Sequence, residues 1–343
     1  MLRHIPPRIR LAQLPSPLRE LQSLSRRFPR QRLWLKQDEL TGMTLSGNKV
    51  RKLEFLLADA IEKGCDTVIT CGGVQSNHCR ATAFACAELG LRCELILRDD
   101  PDLNGQSTLG QGNHVLSLMT GAQIELLSQQ EYTKQLNNRF KEKAREIERA
   151  GRSPYLIPTG GSNGKGVWGY VNAAKEILEQ CQGQGFNPDL VVCASGSGGT
   201  QAGLTLGFHE LHVPTQVLGM AVCDSEAYFQ KKVAADINEA AQQSGLSAVE
   251  RETLINELSI QVNADFIGPG YALGYSKLYQ RMAELAREEA VLLDPVYTGK
   301  AMHGLLSLLE QGQLADYEDI VFVHTGGAFG VFPQAAQLMD TIS

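Results

Sequence analysis

The apolar positions of the chain follow two alternating spacings. Short runs rich in β-branched residues, such as Thr67-Val68-Ile69-Thr70 and Leu190-Val191-Val192-Cys193, are typical of buried strands. Longer segments, such as residues 53–61, place apolar residues at helical spacing, and Gly64 follows where that helix should end. This alternation predicts an α/β fold with an open, twisted, parallel sheet in each lobe.

The same pattern predicts further elements and a division of the chain. Helices are expected over residues 79–89, 115–119, 129–150 and 167–180, and strands over residues 93–97, 123–127, 156–157 and 320–323. The pattern changes near residues 52 and 165. We therefore predict a large domain of residues 1–52 plus 166–343 and a small α/β domain of residues 53–165 inserted into it.

Composition and charge exclude several classes of protein. Of the 343 residues, 43% are hydrophobic and 20% are charged, which is unlike disordered, collagen-like or coiled-coil chains. Lys and Arg number 32 against 38 Asp and Glu, a net charge of −6, so a nucleic-acid-binding surface is not expected. No apolar run approaches the ~18 residues that span a bilayer. We expect a cytoplasmic protein that binds neither nucleic acid nor membranes.

The N-terminal segment has two interpretations. The first 32 residues contain eight arginines and one acid, Glu20, a bias found in organellar transit peptides. Five prolines would interrupt a targeting helix, so we expect an extended arm that packs on the main domain.

The eight cysteines form no Cys-x-x-Cys pair and no zinc spacing. This predicts free thiols in a reducing compartment and no metal site.

Three loops between predicted strands and helices are rich in glycine and small polar residues. The loop of residues 195–200 follows a buried strand, and its glycines let backbone N–H groups approach an anion at a helix start. A phosphate cradle is one interpretation and a tight turn is the other. The loop is not a Walker A sequence, and Gln201 occupies the third Gly/Ala position of a dinucleotide fingerprint.

The second loop, Gly72 to His78, ends in four consecutive polar residues, whereas capping a helix requires one. Such donors suit a substrate carboxylate, although a cap with a solvated histidine would look similar. The third loop, Ser46-Gly47-Asn48-Lys49, places cations at a helix N-terminus, where the macrodipole disfavours them. Lys49 is thus either a catalytic lysine directed into a cleft or one of the far commoner exposed lysines.

A lysine together with a phosphate cradle suggests pyridoxal 5′-phosphate (PLP). The amine can hold this cofactor as a Schiff base while a glycine-rich helix start holds the phosphate. Its pKa, about 10.4 when free, must fall for the amine to react, and burial beside other cations lowers it. At this stage another phosphate-bearing ligand remains an alternative.

At these residues the chain resembles the D-cysteine desulfhydrase and 1-aminocyclopropane-1-carboxylate (ACC) deaminase family, which has the two-lobed, tryptophan-synthase-β-like fold type II of PLP enzymes. The matching stretches span nearly the whole chain and are Leu14–Leu18, Lys36–Gly42, Gly47–Glu54, Gln75–His78, Gly268–Tyr271, Asp294–Met302 and His324–Gly327. The Gly-Asn-Lys and Gln-Ser-Asn motifs are the most specific of them.

The resemblance implies a role for each candidate site residue. Lys49 would hold PLP and move the α-proton, and Ser76, Tyr271 and Tyr297 would be the other catalytic residues. The implied cofactor-binding residues are Lys49, Asn77, Ser197, Gly198, Gly199, Thr200 and Thr325. The implied substrate-binding residues are Gln75, Ser76, Asn77 and His78. Thr325 would meet the pyridine nitrogen, and a neutral hydroxyl there weakens the electron sink and favours β-elimination over transamination. Lys300 and His303 are interpreted as structural.

Three positions bear on the substrate. ACC deaminases of the family typically carry Gln, Glu and Leu where this chain has His78, Thr298 and Thr325. Because Thr298 cannot titrate, these differences favour the desulfhydrase type. A departure follows Tyr271, where the family often has Val-Pro-Asn and this chain has Ala272-Leu273-Gly274.

The sequence therefore predicts a PLP-dependent carbon–sulfur lyase that converts D-cysteine to pyruvate, ammonia and hydrogen sulfide. The enzymatic alternatives are ACC deamination to 2-oxobutyrate and ammonia, or elimination from another small D-amino acid. A nucleotide-dependent oxidoreductase and a non-catalytic amino-acid-binding relative are the rivals from other classes. The expected partners are a small amino-acid substrate and, from the resemblance, a second copy of the chain in a homodimer.

Overall fold

The computed structural model describes residues 2–99, 101 and 105–342, and its strands form two sheets. The larger sheet has, in spatial order, β1 (Leu18–Glu20), β2 (Arg32–Lys36), β10 (Asp319–Val323), β7 (Leu190–Ser195), β8 (Gln216–Ala221) and β9 (Gln261–Asn263). The smaller sheet has β5 (Gln123–Leu127), β4 (Arg92–Arg98), β3 (Thr67–Gly73) and β6 (Pro154–Leu156). β1 is antiparallel to β2, and the other strand pairs are parallel.

Helices connect the strands and cover the sheets. They are α1 (Gln22–Arg27), α2 (Asn48–Glu62), α3 (Asn77–Glu88), α4 (Gly112–Met119), α5 (Gln129–Arg149), α6 (Trp168–Gly183), α7 (Gly199–Glu210), α8 (Glu226–Gln243), α9 (Ala248–Glu257), α10 (Ser276–Glu289), α11 (Thr298–Glu310) and α12 (Ala335–Ile342). Within the described ranges no helix is both long and apolar enough to cross a membrane.

Burial of the central strands explains why their sequences lack alternation. Every residue of β3 and β7 is buried, because helices cover both faces of each sheet. The predicted strand at residues 123–127 coincides with β5, and the other predicted helices and strands differ from the observed ones by a few residues at their ends. The α/β fold predicted from the hydrophobic pattern is therefore confirmed.

The arginine-rich start is extended only in part. Residues 2–17 contain no helix or strand and pack along the molecule, and Glu54 of α2 accepts hydrogen bonds from the backbone of Leu11 and Ala12. Residues 18–20 are extended as the strand β1, but residues 22–27 form the helix α1, so the prediction of an extended arm to residue 32 is wrong for that helix. Leu21 and Leu24 are buried in the core of the larger sheet, and this burial holds the segment in regular structure.

Two large apolar cores accompany the two sheets, and α2 lies where they meet. Leu53, Leu56 and Leu57 of α2 belong to the core of the smaller sheet, whereas Arg51 on the same helix forms an ion pair with Glu176 of α6. The predicted domain boundary at residue 52 falls inside α2, and both domain boundaries stay predictions. All eight cysteines lie in the described part of the chain and are free thiols.

Candidate active site

A cleft of about 480 Å³ is lined by the loops that follow β3, β7 and β10. The carboxyl ends of parallel strands are where ligands bind in open α/β sheets. Ten of the residues predicted from the sequence line this cleft, namely Lys49, Ser76, Asn77, His78, Ser197, Gly198, Thr200, Tyr271, Tyr297 and Thr325. Segments far apart in the sequence are thus brought together around one cavity.

Lys49 enters the cleft from the first turn of α2. Gly47, just before the helix, has φ +103°, and a Cβ there would lie 2.5 Å from the carbonyl oxygen of Thr325. The Asn48 N–H donates to the same oxygen at 3.1 Å, which fixes the helix start against the loop after β10. Burial lowers the pKa of Lys49 to about 8, partly opposed by the nearby Cys79 thiol. A lysine amine with such a pKa is a competent nucleophile and base near neutral pH.

One end of the cleft, which we call the cradle end, is lined by Ser162, Ser197, Gly198 and Thr200, and Lys52 lies behind these residues. The Ser162 hydroxyl lies 2.8 Å from that of Ser197 and accepts from the Gly199 N–H at 3.2 Å, at the N-terminus of α7. Gly160 must be glycine, because its φ is +67° and a Cβ would lie 2.3 Å from Ser197 Oγ. Hydroxyls and a helix N-terminus converge here, as an anion site requires.

Lys52 adds a cation to the cradle end. Its Nζ donates to the Ser162 hydroxyl at 3.1 Å and to the Gly160 carbonyl oxygen at 3.3 Å, and its side chain is buried. Burial, together with the charges of Lys49 and Lys232, lowers the pKa of Lys52 well below its usual range. An ammonium held by neutral oxygens is stabilised by an incoming anion, so this geometry favours a phosphate.

Lys232 of α8 closes the cradle end on the solvent side. It donates to the carbonyl oxygen of Ser162 at 3.2 Å and forms an ion pair with Asp236, one turn further along α8. A Cβ on Gly198 would lie 3.2 Å from Lys232 Cγ, so the lysine stem covers the glycine loop. The cradle end therefore has two lysines and one carboxylate around its hydroxyls.

Asn77 is oriented by a side-chain network behind the cleft. Its Oδ1 accepts from Asn113 Nδ2 at 2.9 Å, which leaves the Asn77 amide N–H groups for another acceptor. Gln75 accepts from the Asn113 N–H at 3.0 Å and donates to the carbonyl oxygens of Thr108 and Gln111. The Gln75 amide is thus engaged within the protein, outside the cleft lining, so the structure does not support its predicted direct contact with substrate.

Ser76 and His78 flank Asn77 at the start of α3. The Ser76 hydroxyl caps the helix by accepting from the Cys79 N–H at 3.2 Å. His78 Nε2 lies 2.8 Å from Thr70 Oγ1, whose proton goes to the Ile157 carbonyl oxygen, so Nε2 carries the hydrogen of a neutral ring. Burial lowers the pKa of His78 well below its usual range. His78 is therefore buried and neutral, and the alternative of a solvated histidine is wrong.

A second group of lining residues, which we call the tyrosine end, comprises Ser76, Asn77, Arg98, Tyr271 and Tyr297. The hydroxyls of Tyr271 and Tyr297 are 2.6 Å apart. Burial and the neighbouring Tyr271 raise the pKa of Tyr297 well above its usual range, so Tyr297 keeps its proton at neutral pH. One of the two hydroxyls donates to the other.

Thr298 follows Tyr297 but faces away from the cleft. Its hydroxyl donates to Asp294 Oδ1 at 2.7 Å, and Asp294 also accepts from the N–H groups of Val296, Tyr297 and Thr298. The Asp294 carboxylate is buried, and these hydrogen bonds hold it against the start of α11. Thr325, in contrast, lines the cleft.

Several cleft residues escaped the sequence analysis. They are Arg98, Tyr132, Thr159, Ser162, Asp224, Tyr228 and Lys232. Lys52, which lies behind the lining and donates to Ser162, also escaped it. Lys52 had a signal in the sequence, because it lies one helical turn after Lys49. Of the predicted residues, Gly199 lies behind the lining and donates its N–H to Ser162, and Gln75 lies in the network described above.

The residues present fit PLP. The cradle end offers cations, hydroxyls and a helix N-terminus to a phosphate. A Cβ on Gly160 would lie 2.3 Å from Ser197 Oγ and 3.6 Å from Lys49 Nζ, so this amine stands near the cradle. Asn77 offers an N–H to a ring oxygen, and Thr325 offers a hydroxyl to a ring nitrogen.

Comparisons with known proteins agree with this fit. The model of the family described as "Pyridoxal-phosphate dependent enzyme" matches residues 9–326. The mitochondrial bifunctional D-cysteine desulfhydrase/ACC deaminase of Arabidopsis thaliana is 40% identical over 317 residues, 89% of this chain and 75% of that protein. A putative ACC deaminase of Thermotoga maritima is 39% identical over 97% of this chain and 100% of its own length.

A solved structure shows the same fold. The crystal structure of an ACC deaminase homologue superposes with a TM-score of 0.86 at 36% identity, covering 98% of this chain and 97% of the other. The matches to the family model, to the two relatives and to the crystal structure of the homologue each extend across both sheets of this chain. This chain therefore belongs to the D-cysteine desulfhydrase/ACC deaminase family of PLP-dependent lyases.

Proposed function

We propose that the protein eliminates the β-substituent of D-cysteine and releases hydrogen sulfide, pyruvate and ammonia. One observation carries the choice of substrate. The hydroxyl of Thr325 lines the cleft, while Thr298 and its partner Asp294 are tied together away from it. ACC ring opening, as inferred from the family, needs a titratable group beside Tyr297, and position 298 does not supply one. Elimination needs only a base at Cα and a leaving group at Cβ.

The proposed cofactor contacts follow the two ends of the cleft. Ser197, Gly198, Gly199 and Thr200, with Lys52 and Ser162, would hold the phosphate. Asn77, oriented by Asn113, would donate to the ring hydroxyl. Thr325 would meet the pyridine nitrogen without protonating it. When bound, PLP withdraws electrons from the substrate Cα and thereby acidifies its α-proton.

The proton steps belong to side chains of this chain. Lys49 would hold the cofactor, and its Nζ, when free, would take the substrate α-proton as a general base. The Cβ–S bond then breaks with its electron pair on sulfur, and 2-aminoacrylate hydrolyses to pyruvate and ammonia. The Ser76 hydroxyl and the N–H groups at the start of α3 would hold the substrate carboxylate during these steps.

The tyrosine pair would face the reacting atoms. The Tyr297 hydroxyl, which shares a hydrogen bond with that of Tyr271, would place its proton near the departing sulfur. The raised pKa of Tyr297 keeps that proton in place throughout the neutral range. The pair therefore supplies a neutral hydrogen-bond donor at the leaving group.

ACC deamination is the second candidate. The two relatives named above carry ACC deaminase in their descriptions, one as a bifunctional enzyme and one as a putative deaminase. In that case ACC would yield 2-oxobutyrate and ammonia in the same cleft.

The visible absorbance of the purified holoenzyme tests both candidates. Separate additions of D-cysteine, L-cysteine and ACC should change the cofactor band with D-cysteine and release sulfide and pyruvate. The matched variant Lys49→Ala should lose the covalently bound cofactor and at least about 1000-fold in turnover. Release of 2-oxobutyrate from ACC without sulfide from D-cysteine would replace the first candidate by the second. A Lys49→Ala protein with full turnover would contradict both.

A further inference from the structure

A buried arginine lies behind the cleft, one turn into α3. Arg80 is 0% exposed, and its three hydrogen-bond partners among the described residues are neutral oxygens. Burial lowers the pKa of Arg80 to about 10, so the guanidinium stays charged at neutral pH. A buried charge without a carboxylate partner is destabilising, and an apolar side chain of similar size would not carry that penalty. A role beyond packing is therefore indicated.

The guanidinium of Arg80 is fixed in direction. Its two terminal nitrogens donate to the carbonyl oxygens of Thr44 and Ser46, the latter at 3.1 Å, in the loop before α2. Its central carbon lies 5.0 Å from the ring centroid of Phe329, which adds a cation–π contact. These contacts hold Nε against Asn113 Oδ1, to which it donates at 3.0 Å.

Arg80 begins a chain of hydrogen bonds that all point the same way. Arginine has donors only, so the atom of Asn113 that faces it is the oxygen, Oδ1. The Asn113 nitrogen is thereby directed away from Arg80, and it donates to Asn77 Oδ1 at 2.9 Å and to the Gln75 carbonyl oxygen at 3.0 Å. Because Asn77 meets this donor with its oxygen, its own N–H groups are left for an acceptor in the cleft that it lines.

We propose that Arg80 is a positioning residue that sets the direction of this chain, so that Asn77 presents an N–H and not an oxygen to the ring oxygen of PLP. This inference rests on the contact proposed above between Asn77 and the ring hydroxyl. The two ends of an amide have nearly the same shape, whereas a donor-only cation at one end of the chain makes one direction favourable. Each bond in such a chain polarises the next, and the charge of Arg80 therefore strengthens the final donor.

Two cofactor ligands test the direction without turnover. PLP is compared with 3-deoxypyridoxal 5′-phosphate, in which hydrogen replaces the ring hydroxyl, by fluorescence titration of the apoprotein. The ratio of the two affinities should fall by about tenfold in Arg80→Met, the usual effect of one hydrogen bond to a charged group. Arg80→Lys, close to the methionine variant in length, keeps a donor-only cation and should keep most of the ratio. Equal losses for both ligands would mean that Arg80 only stabilises the fold, and they would overturn the proposal.

The absorbance of the holoenzyme gives a second measurement. An N–H donor at the ring oxygen stabilises the anionic form of that oxygen, and the anionic form absorbs at longer wavelength than the protonated form. In Arg80→Met the long-wavelength band at pH 7 should therefore lose intensity to a band at shorter wavelength, and Arg80→Lys should restore it. An unchanged ratio of the two bands in Arg80→Met would contradict the role of Arg80.

A substitution at the middle of the chain keeps the test available if Arg80→Met does not fold. Asn113→Asp preserves the shape of the side chain and gives Arg80 a carboxylate partner. It also places an oxygen opposite Asn77, whose amide must then turn its own oxygen toward the cleft. Asn113→Asp should therefore lose the preference for PLP over the deoxy analogue, and a variant that keeps this preference would refute the proposed direction.

Asn77→Ala separates this proposal from the cofactor contact on which it rests. If Asn77→Ala loses the preference for PLP and Arg80→Met keeps it, the contact stands and the role of Arg80 is refuted. If Asn77→Ala keeps the preference, the contact is wrong and the proposal fails with it. No amino-acid substrate is present in either measurement, so both are independent of the choice between D-cysteine and ACC.

Discussion

The cradle end and the tyrosine end of the cleft are built differently. At the cradle end, Lys52 and Ser162 are 1% and 3% exposed, and the contacts include backbone groups at the N-terminus of α7. At the tyrosine end, Arg98 and Tyr271 are partly exposed. The loop that carries Tyr271 is held by two contacts to its backbone, one from Lys300 and one from Gln334.

We infer from this difference that the cradle end serves cofactor binding and the tyrosine end serves substrate choice. Backbone groups and buried glycines cannot change without moving α7 or β7, so the cradle end suits a group that every reaction of the family shares. Side chains on a loop can be exchanged singly, and the sequence departs from the usual family pattern just there, at Ala272-Leu273-Gly274. Substitutions at the cradle end should therefore lower the affinity for PLP. Substitutions at the tyrosine end should alter substrate selectivity and leave the affinity for PLP unchanged.

The largest expected effect comes from adding one methyl group to the cradle end. In Gly160→Ala, the new Cβ would lie 2.3 Å from Ser197 Oγ at a φ of +67°, so the hydroxyl must leave the phosphate site. PLP affinity of the apoprotein should fall by at least about 100-fold in a fluorescence titration. Gly151→Ala shares the positive φ but meets no atom within 4 Å, and it should bind PLP normally. Equal affinity in the two variants would contradict a preformed cradle.

Removal of the buried cation should have the next largest effect. Lys52→Met keeps the length of the side chain and deletes the charge that the Ser162 hydroxyl and Gly160 carbonyl hold. The dissociation constant of PLP should rise by about 10- to 100-fold, while that of pyridoxal, which lacks the phosphate, should hardly change. Lys63→Met, an exposed lysine just after the same helix, is the control. If the affinities for PLP and pyridoxal fell equally, Lys52 would be stabilising the fold and would not be binding the phosphate.

The sequence predicted the parts of this site that local rules govern. The loops after β3 and β7 were identified because glycines and polar residues cluster where a strand should end, and Lys49 because it follows Ser46-Gly47-Asn48. The family resemblance added Tyr271, Tyr297 and Thr325, which no local pattern marks as functional. The structure brings all these segments to one cleft.

The contacts that sequence reasoning missed depend on tertiary distances. Ser162 looked like one residue in a glycine-rich stretch, yet its hydroxyl bridges Ser197 and the N-terminus of α7 across 35 residues of chain. Gln75 belonged to a motif expected to bind substrate, but α4 comes close enough for Asn113 to engage it. Arg98 carried no signal, since an arginine after a strand is ordinary until its two tyrosines are placed.

The pH dependence of cofactor attachment tests the pKa of the Lys49 amine. Attachment requires neutral Lys49, and burial lowers the pKa of this amine to about 8, so its protonated form predominates below pH 8. The rate at which apoprotein takes up PLP covalently should therefore rise about tenfold per pH unit below 8 and level off above 9. An unperturbed lysine, by contrast, would give a rate that keeps rising to pH 10. Stopped-flow absorbance distinguishes the two profiles.

The smallest expected effect is at the tyrosine end, in the support of its loop. Lys300 Nζ donates to the Gly270 carbonyl oxygen at 2.6 Å, next to Tyr271. Lys300→Met removes this contact and lets the loop loosen, so KM for D-cysteine should rise by about three- to fivefold while PLP affinity stays the same. Lys277→Met, an exposed lysine close to the same loop, should change neither quantity. A loss of PLP affinity in Lys300→Met would show that the two ends are coupled through α11. It would contradict the inference that cofactor binding and substrate choice are independent.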